Sequence, residues 1–267
     1  MKKISEAPLL IATLGIMLFL RMLMGAICVS LLYLPTRPIA ASGRVLKIHI
    51  IRATLTAVMA YLFFFGLTRI PLAQAIGLSF IAPIITLFLA VPLLGERIGA
   101  NAKLAAVLGF GGVIVVVGGE LLSVGPDGDL LGMGAVLLSA VMYAFNLILQ
   151  RMQALIAKPL EIAFYQNIIV VVILLLAAPF AASLPANVMQ WGGAALAAAL
   201  AIGSLMLMAA AYRQAEAQRL VSIEYTAFIW AAILGWFFFA EAVTARTLLG
   251  TGLIVLGCFV SARGGSR

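Results

Sequence analysis

The sequence predicts an all-α membrane protein, an inverted-repeat helical bundle, and three observations lead there. The 267-residue chain is 65% hydrophobic and only 10% charged, with a mean hydropathy of +1.21. Soluble domains are about 45–50% apolar and about 25% charged, so this chain has too little polar surface to clothe a globule in water. Apolar stretches recur at the roughly 20-residue length that carries a helix across a hydrocarbon core of about 30 Å. The pattern of one stretch also returns 145 positions later.

Nine apolar segments follow one another: 8–34, 50–69, 72–95, 103–120, 130–150, 159–181, 190–212, 220–240 and 245–263. Hydrocarbon offers backbone N–H and C=O groups no partner outside their own segment, so each segment reads as a helix. The short alternating stretches of a membrane β-barrel are absent from the sequence.

Charge sets the orientation, because Lys and Arg prefer cytoplasmic connections. One alternating set of connections holds Arg37, Arg44, Lys47 and Arg52, then Arg97 and Lys103, Arg151 and Lys158, Arg213 and Arg219, and finally Arg263 and Arg267. These are 12 of the 17 basic residues. The other set has Arg69, Arg246, Lys2 and Lys3, with Arg21 inside a helix and no basic residue around Asp127 and Asp129. The split predicts a multi-pass protein of a bacterial-type inner membrane, carboxyl terminus in the cytoplasm. Nine helices then leave the amino terminus outside.

The same topology accounts for the net charge of +8. No basic stripe interleaved with aromatics points to nucleic acid. Cys28 and Cys258 lie in apolar segments and imply no disulfide framework. Gly25-Ala26-Ile27-Cys28 imitates a lipoprotein cleavage site, but Ile27 is too large for the residue before the cut. Met1-Lys2-Lys3 before an apolar run imitates a signal peptide. Arg21 interrupts that run and its apolar character continues to Leu34, which favours a retained helix.

The internal repeat sets "LLGERIGANAKLAAVLGFGGVIVV" beside "FFAEAVTARTLLGTGLIVLGCFV". Glu96 and Glu241 stand 145 positions apart, as do Gly112 and Gly257. The same offset pairs Arg21 with Gln166 and Ser79 with Glu224. The repeats occupy 1–125 and 126–267 and, by the charge pattern, enter the membrane from opposite sides. Many secondary transporters build alternating access on such an inverted repeat. The helix at 130–150 finds its counterpart only upstream of residue 1, so the expectation is four helices in the first repeat and five in the second.

"LLGER" after a helix bearing Pro83, "GFGGVIVV", "EYTAFIWAAILGWFFFAE" and then "LLGTGLIVLG" occur in this order. With them the whole chain resembles the drug/metabolite transporter superfamily, specifically its EamA-type ten-helix exporters and permeases. The resemblance implies five plus five helices, cytoplasmic termini and a central cavity. It also implies transport of a small metabolite such as an amino acid, vitamin, nucleoside, polyamine, S-adenosylmethionine-like compound or drug. Two features depart from the pattern: the first helix is missing, and Phe228 stands at the position matching Pro83. The missing helix keeps a second reading open, a non-transporting or partner-dependent membrane subunit.

Ionisable and polar residues within the apolar segments are the candidate substrate-binding groups, because a charge in hydrocarbon costs about 2.5–3.5 kcal/mol on insertion scales. Arg21 has a polar repeat mate in Gln166 and suits an anionic group; its alternative is snorkelling to the interface. Glu224 and Tyr225 suit a cationic group or a coupling proton. The alternative for Glu224 is a place in the first turn of a helix capped by Ser222. Tyr143, Asn146 and Gln150 share one helical stripe, and Tyr165, Gln166 and Asn167 open the next helix; bonding between helices is the competing role. Trp230 suits stacking on an aromatic substrate, whereas Trp236 reads as an interfacial anchor. Glu96 and Glu241 read as interfacial pairs or helix caps. Gly109-Phe110-Gly111-Gly112 and Gly250-Thr251-Gly252 read as close helix contacts, since no strand precedes them.

An enzyme needs paired carboxylates, a Ser–His couple or a metal cluster. The only histidine, His49, falls in a basic loop on this reading, and no HExxH motif is present. The expectation is therefore no catalysis, no cofactor and no metal. The implied partners are a small-molecule substrate and lipid, with a proton as the candidate coupling ion.

Overall fold

The computed structural model describes residues 2–36, 41–70, 72–96, 98–121, 129–177, 188–224, 226, 230, 233, 237 and 245–263. Among them every regular element is helical: α1 Lys2–Tyr33, followed by a 3-10 turn Leu34–Thr36, α2 Gly43–Leu67, α3 Leu72–Ser79, α4 Ile81–Leu94 and α5 Ala100–Leu121. The order continues with α6 Leu130–Ile156, α7 Pro159–Ala177, α8 Val188–Gln214, α9 Ala217–Glu224 and α10 Ala245–Arg263. Among the described residues five stretches are long and apolar enough to cross a membrane: Leu18–Thr36, Gly43–Leu67, Leu130–Ile156, Pro159–Leu176 and Trp191–Gln214. The fold is that of an all-α membrane protein.

Local chemistry sets several boundaries. Asp129 caps α6, its Oδ1 accepting the N–H groups of Leu131 at 3.1 Å and Gly132 at 3.0 Å. The Gly132 N–H and the Arg69 guanidinium, 2.9 Å from Oδ2, hold the Asp129 carboxyl below the usual carboxylate range. Gly95 closes α4 in the left-handed region (φ 69°), donating to the carbonyl of Val91 while Glu96 donates to that of Ala90. Pro159 opens α7, where its missing N–H costs no helix bond.

Two differences from the sequence reading bear on the candidate residues. The apolar run 72–95 is two helices, parted at Phe80, whose N–H still reaches the Ile76 carbonyl. Helix α2 begins at Gly43, after Ser42, not at residue 50. Arg44, Lys47, His49 and Arg52 are therefore helical. His49 and Arg52 are buried, so His49 is no loop residue and Arg52 no loop charge.

The helices gather into two compact units. The first takes Met1–Thr68 and Leu149–Gln214, the second Arg69–Ile148 and Ala215–Arg267. In the first unit α1 packs along α7 and α8, and α2 along α7. Leu18, Phe19, Met22 and Ala26 share a buried cluster with Ala53, Val170, Val171 and Leu174.

In the second unit α5 and α10 lie against each other along most of their length. A Cβ on Gly112 would stand 2.5 Å from the Gly250 carbonyl oxygen and 2.8 Å from Ile254, and one on Gly257 would stand 3.0 Å from the Ala105 carbonyl oxygen and 3.3 Å from the Gly109 nitrogen. Residues 105 and 250, 109 and 254, and 112 and 257 are each 145 apart. The crossing is thus its own image under exchange of the two helices, and the helices run antiparallel. Only a hydrogen at the Gly112 α-carbon allows this approach, the small-residue packing common among membrane helices. The α1–α7 contact follows the same register. A Cβ on Gly25 would collide with Asn167 Oδ1. The positions offset from these two by 145 are Val170 and Met22, both in the buried cluster above.

Candidate functional site

In the second unit the structure joins two of the residues chosen from sequence. The Tyr143 hydroxyl on α6 donates to Glu224 Oε2 at 2.7 Å, across 81 positions of chain. Small residues place the tyrosine: Ala140 and Ala144 on α6 meet Ala82 on α4, and Ile81, Ile85, Leu89 and Tyr143 itself pack against these alanines. The Thr86 hydroxyl reinforces that contact, 2.9 Å from the Ala82 carbonyl and 3.5 Å from that of Ala144.

Glu224 is placed by its helix. Glu96 Oε1 accepts the Ala217 N–H at 3.0 Å, so Glu96 caps the start of α9. Glu224 is the last residue of α9, not a member of its first turn, and the helix starts five residues before Ser222. The Ser222 cap is thereby corrected: the cap is Glu96. A partly buried carboxylate with a phenol donor suits a proton or a cationic substrate group.

The first unit holds the other candidates. Arg21 is partly buried, and its guanidinium donates to Met22 Sδ at 3.9 Å. Gln166 is buried, with no hydrogen-bond partner for Oε1 among the described residues. The Tyr165 hydroxyl accepts the Ala41 N–H at 3.3 Å. Asn167 donates to the Ala163 carbonyl at 2.8 Å, a bond within α7.

The predicted stripe of Tyr143, Asn146 and Gln150 divides. Tyr143 serves the second unit, and Gln150 accepts from Arg52 in the first. Asn146, also in the second unit, is buried. Trp230 is a helical residue with 62% of its surface exposed. Tyr225, Trp236, Glu241 and Asp127 lie outside the described residues.

A buried polar cluster in the first unit was missed from sequence. Arg52 donates to Gln153 Oε1 at 2.9 Å and to Gln150 Oε1 at 3.0 Å. Gln153 Nε2 lies 2.9 Å from His49 Nδ1, and His49 Nε2 lies 3.5 Å from Glu161 Oε1. The His49 ring stacks on Tyr165 with centroids 4.7 Å apart. The signal lay in spacing: His49 and Arg52 are i, i+3 on α2, matched by Gln150 and Gln153 on α6. Among the described residues no group of three His, Cys, Asp or Glu side chains is arranged to hold a metal ion.

The description of the EamA-like transporter family matches residues 11–118 and 130–263, nearly the whole chain. The chain belongs to the EamA-like transporter family. Its relatives carry small molecules across membranes. The chain is 29% identical to the pseudopaline exporter of Pseudomonas aeruginosa (strain UCBPP-PA14) over 250 residues, 90% of this chain and 84% of that protein. It is 26% identical to the S-adenosylmethionine uptake transporter of Rickettsia felis over 216 residues, 78% of this chain and 69% of the relative. It is 28% identical to the riboflavin transporter of Rhizobium johnstonii over 212 residues, 78% and 67% of the two chains. A solved crystal structure shares the fold with a TM-score of 0.74 at 17% identity, covering 96% of this chain and 95% of the other. The family membership and these relatives make this chain a small-metabolite transporter.

Proposed function

We propose that the chain moves a small organic metabolite through a bacterial-type inner membrane by alternating access, with its carboxyl terminus in the cytoplasm and repeats at 1–125 and 126–267 in opposite orientations. The observation that carries the site is the Tyr143–Glu224 hydrogen bond, which joins two residues selected independently from sequence. Glu224 takes the cationic end of the substrate or the coupling proton, and Tyr143 orients it. Arg21 receives an anionic group, Gln166 offers its amide, and Asn146, Tyr165, Tyr225 and Trp230 line the path. Substrates of the size and polarity that the relatives' names record, pseudopaline, S-adenosylmethionine and riboflavin, are the first to test. The antiparallel crossing of α5 and α10 supports the inverted arrangement, since mates in one sense would cross in parallel.

The test is accumulation or efflux of these three compounds in cells expressing the chain. Flux of at least one is expected, reduced at least tenfold by Glu224→Gln and severalfold by Tyr143→Phe at equal membrane abundance. Wild-type flux in Glu224→Gln would remove the carboxylate from the site. No flux of any tested metabolite, alone or with an added partner chain, would end the transport reading.

A further inference from the structure

The exposed cations of the first unit gather at one end of it. Arg44 lies in the first turn of α2 and Lys47 one turn on, Lys158 directly precedes α7, and Arg213 lies in the last turn of α8. All four are exposed. Packing draws these helix ends together, because Val45 of α2 lies against the buried cluster of Ala157, Ile162 and Ala209. The end of α1 joins them, its Tyr33 ring 4.7 Å from that of Phe164 on α7. Two further arginines are spoken for: Arg52 donates to Gln150 and Gln153, and Arg151 to the Tyr212 carbonyl. The acid these helix ends carry is Glu161, which faces His49 at 3.5 Å. The far ends of α7 and α8 differ, since residues 174–192 include no charge of either sign. In the second unit Lys103 and Arg219 are matched in number by Glu96 and Glu216 near the starts of α5 and α9.

The four cations stand at the level of phospholipid headgroups. The membrane-crossing stretch Gly43–Leu67 begins one residue before Arg44, Pro159–Leu176 begins directly after Lys158, and Trp191–Gln214 ends one residue after Arg213. Long basic side chains reach that level with their stems on apolar surface. Exposed Ile50 and Ile51 lie about a turn inside Lys47, and exposed Leu207 nearly two turns inside Arg213. A water-soluble acidic partner would leave this apolar surface uncovered, whereas a lipid covers it with its chains. On the same unit α1 bears a groove of about 460 Å³, lined by Leu23, Ile27, Leu31 and Leu34 with Ile168 and Val171 of α7. From Leu23 to Leu34 it runs about 16 Å along the helix axis, the depth of one leaflet of a core of about 30 Å. Its rim at Leu34 follows Tyr33, so it opens beside the start of α7, where Lys158 stands. We propose that the first unit binds anionic phospholipid in preference to zwitterionic phospholipid, with headgroup phosphate on Arg44, Lys47, Lys158 and Arg213 and an acyl chain in the α1 groove. Basic groups between helix ends recognise such headgroups by charge.

The test is native mass spectrometry of the full chain in detergent, given equal amounts of phosphatidylglycerol and phosphatidylcholine with the same long chains. It needs no flux, so failure of the transport reading leaves it standing. Phosphatidylglycerol is expected to be retained about fivefold more, the preference that one well-placed cation supplies. Replacing Arg44, Lys47, Lys158 and Arg213 together by Gln should bring the two lipids to parity, and Lys47→Gln with Lys158→Gln should give an intermediate ratio. Lys103→Gln with Arg219→Gln removes two exposed charges from the second unit and should leave the preference intact. In the unaltered protein an excess of glycerol phosphate should displace no lipid, and short-chain phosphatidylglycerol should compete weakly, because neither fills the groove. Equal retention of the two lipids by the unaltered protein, a preference that survives the fourfold replacement, an equal loss in the second-unit variant, or displacement by glycerol phosphate would each overturn the proposal.

Discussion

The α5–α10 crossing and the α2–α6–α7 cluster hold helices together in lipid by opposite means. At the crossing Gly112 and Gly257 bring backbone against backbone, and the contact there is dispersion at close range. In the cluster a buried arginine, a histidine and two glutamines satisfy one another, with a carboxylate at the rim. The cluster depends on the orientation of one amide. Close apolar packing and polar bonding are thus separated within one chain, the first in residues with no side chain and the second in residues with long ones.

Substitutions can break this contrast. Gly112→Leu places side chain where only 2.5 Å separates the built Cβ from the Gly250 oxygen, and overpacking of this kind costs about 3 kcal/mol. It is expected to abolish monodisperse protein in detergent, whereas Gly111→Ala, with nothing within 4 Å, should leave the melting temperature unchanged. Arg52→Met strips the donor from two buried amide oxygens and should destabilise the first unit by about 2 kcal/mol, measured as a fall in thermal midpoint. Tyr143→Phe removes the bond to Glu224, about 1 kcal/mol in such settings, so its effect on flux should exceed its effect on melting.

The smallest effect belongs to Asp129. Its carboxyl is held below the usual range in the folded protein, so its contribution is fully present above the unfolded carboxylate value and disappears as pH falls through the lowered one. The melting temperatures of the wild type and Asp129→Asn should accordingly differ at neutral pH and converge in strong acid.

Hydropathy made the helices legible, and the 145-residue offset marked the positions where α5 and α10 meet, because glycine at a crossing leaves a trace in composition. The start of α2 was not legible. Arg44, Lys47, His49 and Arg52 resemble a basic loop by composition, and only partners about 100 positions away explain why His49 and Arg52 turn inward. The break at Phe80 was signalled by Pro83, whose missing N–H fits the first turn of α4, but the unbroken apolar run around it concealed that signal. Of the site, the residue types were legible, and so was the pairing potential of Tyr143 and Glu224. The division of Tyr143 and Gln150 between two units was not, because a helical stripe records direction and not neighbours.

The account stands on two repeats that traverse the membrane in opposite senses. Single cysteines at Asn101 and Arg246, exposed repeat mates near the starts of α5 and α10, test it in a background with Cys28 and Cys258 replaced. In intact cells a membrane-impermeant maleimide should label one of the two, and the other should react only after permeabilisation. Labelling of both from the same face would contradict the account.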